Sequence, residues 1–172
     1  MARRTWYNVF TECGVCTLQQ KRGISSCRII RAGTYGEEFG GIRRKKPGNP
    51  KLFTLDDFYG ALRIAWSRDT AYPGCQVDWE PSDPSYGQCA VTAMLAYDLF
   101  GGDICRVRNA DGSTHYFNRI DGHIIDLTAE QLFQPFSYEP YEVMNRQYCG
   151  KNSDTKRRYQ LLVERVAEAL AD

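Results

Sequence analysis

The chain has 172 residues, 42% hydrophobic and 25% charged, which fits one packed domain with room for a small appendage. A formal net charge of +1 argues against a whole-protein nucleic-acid binder, and no apolar run is long enough to span a membrane. The start, Met1-Ala2-Arg3-Arg4-Thr5-Trp6, is basic but has no apolar segment behind it, so it does not read as a secretory signal. The seven cysteines are therefore expected to be reduced thiols of a cytoplasmic protein rather than a disulfide framework.

Charge is unevenly spread. Residues 1–50 hold ten Lys/Arg against three Asp/Glu, whereas residues 51–172 hold twelve against eighteen. The first 50 residues thus read as a basic, cysteine-containing extension and linker, with the main domain over 51–172. Such an extension suits an acidic partner, or attraction to the acidic body. Short β-like runs at Trp6–Phe10 and Cys27–Ile30 suggest a small hairpin. Arg43-Arg44-Lys45-Lys46 before Pro47-Gly48-Asn49-Pro50 reads as a solvated linker. Cys13 and Cys16 have the spacing of a zinc half-site and Cys27 adds a third thiol. The fourth ligand would have to come from Cys75 or Cys149, and the plain alternative is ordinary cysteines in a hairpin.

The body opens with a helix from Thr54, where Thr54 and Asp57 have capping-box spacing and Leu55, Phe58, Leu62 and Ala65/Trp66 form one apolar face. Residues 67–84 are broken by Pro73, Gly74, Pro81 and Pro84. Ser85 and Gln88 again have capping-box spacing and put Cys89 in the first turn of a second helix. Its residues Ala90 to Phe100 are apolar on most sides, so it should be central and buried, ending at Gly101-Gly102. A β-meander follows: Ile104 to Arg108, Ser113 to Ile120, and His123 to Leu127, with Asp121-Gly122 as a two-residue hairpin signal. Thr128 and Gln131 then cap a short helix, residues 134–150 are loop-like and aromatic, and an amphipathic helix runs from about Ser153. The fold class is α+β: a cysteine-bearing helix on a small antiparallel meander, with flanking helices.

A two-residue loop at Asp121-Gly122 pairs Ile120 with His123 and so sets the whole register. Phe117 faces Asp126, and His115 lies diagonal to Asp126 on the same face, while Asn118 and His123 fall on the other. Cys89 near the positive end of a helix dipole favours thiolate. With His115 as base and Asp126 holding the imidazole tautomer, the three form a nucleophile–base–orienter set for attack on a carbonyl. The Cys89 N–H and the Gln88 amide would stabilise the oxyanion. Each residue has a plainer reading: a packing cysteine, a structural histidine, an Asp126 that only caps the Thr128 turn, a Gln88 that only closes its box.

The run Trp79-Glu80-Pro81-Ser82-Asp83-Pro84-Ser85-Tyr86-Gly87-Gln88-Cys89-Ala90-Val91-Thr92-Ala93 resembles the YunG-like proteins of bacteria. Phe100-Gly101-Gly102, His115-Tyr116-Phe117-Asn118-Arg119-Ile120, Ile125-Asp126-Leu127-Thr128 and Asn152 to Tyr159 carry the same likeness. It covers about residues 52–172. It implies a papain-like fold and a cysteine hydrolase acting on an amide, thioester or ester, with no cofactor for catalysis. By the same match Cys89, His115 and Asp126 fall at the family's presumed triad. An acyltransferase with that triad, or a non-catalytic binding protein on that fold, are the other readings. The resemblance implies no substrate; a protein or peptide is one option. In papain the helper glutamine lies several residues before the cysteine, whereas Gln88 is adjacent.

Overall fold

The computed structural model describes residues 29–31, 43–45, 52–132 and 136–171. A five-stranded sheet runs in the order β1-β6-β5-β4-β7, from β1 (Ile29–Arg31), β4 (Asp103–Arg108), β5 (Thr114–Ile120), β6 (His123–Asp126) and β7 (Glu142–Met144). Neighbours are antiparallel except β1, which lies parallel to β6. A separate antiparallel pair joins β2 (Arg43–Lys45) to β3 (Leu52–Thr54). The helices are α1 (Leu55–Ala65), α2 (Cys89–Phe100), the short α3 (Arg146–Cys149) and α4 (Ser153–Ala169). The class is α+β, as expected.

Local chemistry explains most boundaries. Thr54 caps α1 in a full capping box with Asp57, a device worth about 1 kcal/mol. Asp121 (φ 50°) and Gly122 (φ 82°) both adopt the left-handed region that a two-residue type I′ loop needs. The hairpin accordingly has the expected register, with Ile120 opposite His123, Arg119 opposite Ile124 and Asn118 opposite Ile125. Helix α2 is buried along Val91, Thr92, Ala93, Met94, Leu95, Ala96 and Phe100 because it lies between the sheet and the α1/α4 pair. The Asn118 amide pins it by donating to the Ala93 carbonyl at 3.0 Å, and Trp66 Nε1 donates to Thr92 Oγ1 at 3.0 Å.

Four expectations are corrected. Ser85 and Gln88 form no capping box: Gln88 itself is the cap residue of α2 and makes no capping bond with its side chain, while Ser85 Oγ donates to Asp83. The second half of the Cys27–Ile30 run does not close a local hairpin; Ile29–Arg31 instead extends the main sheet beside β6, in register with Ile124–Asp126. The run Arg43–Lys45 is a strand rather than a bare linker, because Leu52–Thr54 offers it a partner across the Pro-Gly-Asn-Pro segment. The stretch 134–150 carries β7 and α3, which its composition of mixed aromatics and prolines hid. Trp6–Phe10 and the proposed zinc ligands Cys13, Cys16 and Cys27 lie outside the described residues. Among the described residues no group of three or more His, Cys, Asp or Glu is arranged for a metal, and no helix is long and apolar enough to cross a membrane.

Both β1 and β2 come from the first 50 residues yet pair with strands of the body. Deleting residues 1–50 is therefore expected to cost about 2 kcal/mol, a fall in Tm of roughly 4–8 °C for a chain of this size. An unchanged thermal midpoint would mean that the two strands add nothing to the fold.

Candidate functional site

The site forms where α2 begins and the β5–β6 ladder ends. Odd-numbered residues of β5, His115 and Phe117, share the sheet face of Asp126 and Ile124. Cys105 and Val107 of β4 lie on this same face, which packs on Tyr138, while the even face, with Asn118 and Ile120, packs on α2. His115 and Asp126 thus lie on the face turned away from the helix that carries Cys89. Cys89 reaches them around the margin of the sheet rather than by facing them across a layer. The opening is made by the ladder itself. Paired residues Asn109 and Ser113 share a bond at 2.9 Å, so alternation along β5 directs the Tyr116 N–H toward β6. The β5–β6 register extends only to Asn118 and Ile125, and the Tyr116 backbone bonds the Cys89 sulfur instead.

Asp126 is fully buried and saturated with donors. Oδ2 accepts from His115 Nε2 at 2.8 Å and from the Tyr138 hydroxyl at 2.7 Å; Oδ1 accepts from the Thr128 N–H at 3.0 Å and the Thr128 hydroxyl at 3.1 Å. Burial alone would push its pKa up, but the His115 charge and these donors hold it below the usual carboxylate range. His115, 3% exposed, lies edge-on to Phe136 with ring centroids 5.1 Å apart. Burial disfavours its protonated form, yet the charge and bond of Asp126, with Cys89 beside it, raise its pKa to about 10. Since Nε2 is committed to Asp126, Nδ1 is the nitrogen left for Cys89.

Cys89 is partly buried. Burial pushes its thiol up, and the hydrogen bond and charge of His115, with the backbone bond from Tyr116, outweigh that and bring its pKa below the ordinary thiol value. The contrast with its fellows is informative. Cys75, Cys105 and Cys149 are all shifted upward, burial being the main cause, and Cys105 reaches about 12. Of the described cysteines Cys89 alone has a base within reach, and the arrangement can hold a thiolate–imidazolium pair.

The loop before Cys89 is held from below. Gly87 has φ +74°, and a Cβ there would lie 2.6 Å from Cys75 Cβ, so only glycine fits. Its N–H donates to Gln131 Oε1 at 3.2 Å, and its carbonyl accepts from the Tyr72 N–H at 2.8 Å. Gln88 is fully buried and its Nε2 donates to the Ser67 carbonyl at 2.9 Å. Placed so, it anchors the 67–88 loop. The first-turn N–H groups of α2, beginning with that of Cys89, have no carbonyl one turn earlier to bond.

His115, Asp126 and Cys89 are brought together as expected, and His123 and Asn118 are on the opposite face. Sequence reasoning missed Tyr138 and undervalued Thr128. The Asp-x-Thr spacing of 126–128 is an Asx-turn signal that points to the Thr128 N–H. Nothing in the irregular stretch around Tyr138 marks its hydroxyl as a partner of Asp126.

What the elements define is an α+β protein whose central helix opens on a cysteine coupled to a histidine and a buried carboxylate. The chain belongs to the YunG family, whose model, described as YunG protein, matches residues 54–171. It is 40% identical over 78 residues to the Uncharacterized protein YunG of Bacillus subtilis (strain 168), a match covering 45% of this chain and 63% of that relative. The chain thus spans less than two thirds of the relative's length. No solved structure matches.

Proposed function

We propose that this protein is a cysteine-dependent acyl-transfer enzyme, a hydrolase of an amide, thioester or ester on a papain-like scaffold. The observation that carries the reading is the chain from Cys89 through His115 to Asp126, with Asp126 satisfied by four donors so that it serves as a fixed orienter. Cys89 attacks the acyl carbon, His115 protonates the leaving group, and a thioester remains. Water then attacks with His115 as base. An amine or alcohol in place of water makes the same enzyme an acyltransferase. The Cys89 N–H, at the positive end of α2, is the donor best placed for the oxyanion.

The test is iodoacetamide alkylation of Cys89 across pH. A thiolate held by His115 reacts below the ordinary thiol pKa of about 8.5, and the rate stays level up to about pH 10, where His115 loses its proton. The sign follows from the pair: a lowered cysteine and a raised histidine widen the window in which both are charged. A single rise centred at or above pH 8.5 would overturn the reading. A non-catalytic binding protein on the same scaffold is the second reading, favoured by the near-complete burial of His115. Flat, ordinary reactivity at Cys89 is its signature.

A further inference from the structure

A groove of about 610 Å³ runs beside the site, between the outer edge of β4 and residues 136–142. Its size falls in the range of small-ligand clefts. One wall is Val107, Arg108 and Asn109; the other includes Phe136, Pro140 and Tyr141. It adjoins His115 twice, since Val107 is the β4 partner of His115 and Phe136 is the ring packed edge-on against it. Neither Cys89 nor His115 lines it; Val107 and Phe136 stand between the groove and the imidazole.

The groove has an open strand edge. The β4–β7 ladder pairs Ile104 with Met144, Cys105 with Val143 and Arg106 with Glu142, and stops there. The next position opposite Arg108 is Pro140, which has no N–H to offer. Asn109 bonds Ser113 across the turn, so Val107 directs its backbone groups to β5, and Arg108 directs its N–H and carbonyl outward into the groove. Among the described residues no strand pairs with them. The Arg108 side chain is 59% exposed, with Nε 4.0 Å from Glu142 Oε1.

We infer that this groove holds an extended peptide by strand addition to the Arg108 edge, and that the peptide is the amine-side portion of the substrate. The peptide assignment comes from a main-chain donor and acceptor that no described strand pairs, set between the strand end and a wall carrying Phe136, Pro140 and Tyr141, which is the recognition chemistry of an added strand. β4 ends at Arg108 and residues 109–112 turn back on themselves, so Arg108 supplies one donor–acceptor pair to the added strand. The side of the scissile bond rests on the proposed roles of Cys89 and His115: the acyl carbon must meet Cys89, and the departing amine takes its proton from His115, which the groove adjoins. In the reverse direction a peptide amine seated there attacks the thioester. Its nitrogen bonds the acyl carbon, the C–S bond breaks with its electron pair remaining on Cys89, and the amine proton passes to His115.

Two measurements on the full chain test this. The probe is an alanine tetrapeptide amide, with its N-methylated counterpart as control. At millimolar concentration the tetrapeptide should shift the backbone amide resonances of Val107 and Arg108, and the N-methylated form should not. No shift there overturns the groove whatever Cys89 does. For the second, p-nitrophenyl acetate acylates Cys89, and added amines compete with water for the acetyl group. The tetrapeptide should intercept it at least ten-fold more efficiently than alaninamide. Arg108→Pro, which removes the outward N–H, should erase that preference. A burst with equal interception by both amines overturns the inference. A missing burst overturns the Cys89 reading alone, and the amide shifts then still decide the groove.

Discussion

Asp126→Asn is expected to silence Cys89 while costing the fold about 2–3 kcal/mol. An asparagine keeps one acceptor oxygen where Asp126 uses two, each serving two donors. If that oxygen stays with Thr128, the new NH2 group meets His115 Nε2 and the Tyr138 hydroxyl. Tyr138 can rotate its proton away, but His115 must turn Nε2 into an acceptor and move its proton to Nδ1. The nitrogen facing Cys89 then becomes a donor with no basic lone pair. If the amide is reversed, the Thr128 N–H loses its acceptor inside the core, at a cost of about 1–3 kcal/mol. Either way the raising influence of Asp126 on His115 is gone, so the His115 pKa falls; losing the charged imidazole then raises Cys89 by more than removal of the Asp126 charge lowers it. Alkylation at pH 7 should drop by roughly 100-fold, as expected for a thiol that is mostly protonated there. Turnover should fall by up to roughly 10,000-fold, because the wrong tautomer disables the base as well as the nucleophile. Urea denaturation gives the stability change and the pH profile of alkylation gives the rest. Retention of wild-type reactivity in a folded Asp126→Asn protein would remove Asp126 from the mechanism.

How much of this was legible in the sequence depended on the range of the interactions. The Asp121-Gly122 loop is local and both residues accept positive φ, so one dipeptide set the register of two strands and the pairing of His115 with Asp126. Thr54 with Asp57 is equally local, and that helix start was read correctly. Ser85 with Gln88 has the same spacing and failed. Gln88 is drawn down to the Ser67 carbonyl by a contact 21 residues away, and that tertiary bond outweighs a local capping preference. Tyr138 and β7 were invisible for a related reason. Each is short and irregular, and each is positioned by strands that precede it rather than by a pattern of its own. The parallel strand β1 needed a partner nearly a hundred residues on, which no local signal can name.

His115→Ala should have the other large effect, and it separates burial from activation at Cys89. Without the imidazole, burial acts on the thiol with only the Tyr116 backbone bond to oppose it, so the Cys89 pKa should move above its ordinary value instead of below. The iodoacetamide rate at pH 7 should fall by roughly 100-fold, and the two proteins should converge only in alkaline solution, where any thiol ionises. The same substitution leaves Asp126 charged, buried and without a cation. Removing one partner of a buried pair typically costs about 3–5 kcal/mol. That loss should itself depend on pH. In the wild type the Asp126 pKa is lowered, so its contribution to stability is present above the unfolded carboxylate value and disappears as pH falls through the folded one. In the variant, burial dominates and the folded pKa rises above the unfolded one. The folded state then binds the extra proton, and the variant should regain stability as pH drops from 7 toward 5. Denaturation midpoints at those two pH values check the point. A variant that loses reactivity but shows no recovery on acidification would mean that Asp126 keeps its charge through Tyr138 and Thr128 alone, and that His115 serves the thiol without stabilising the carboxylate.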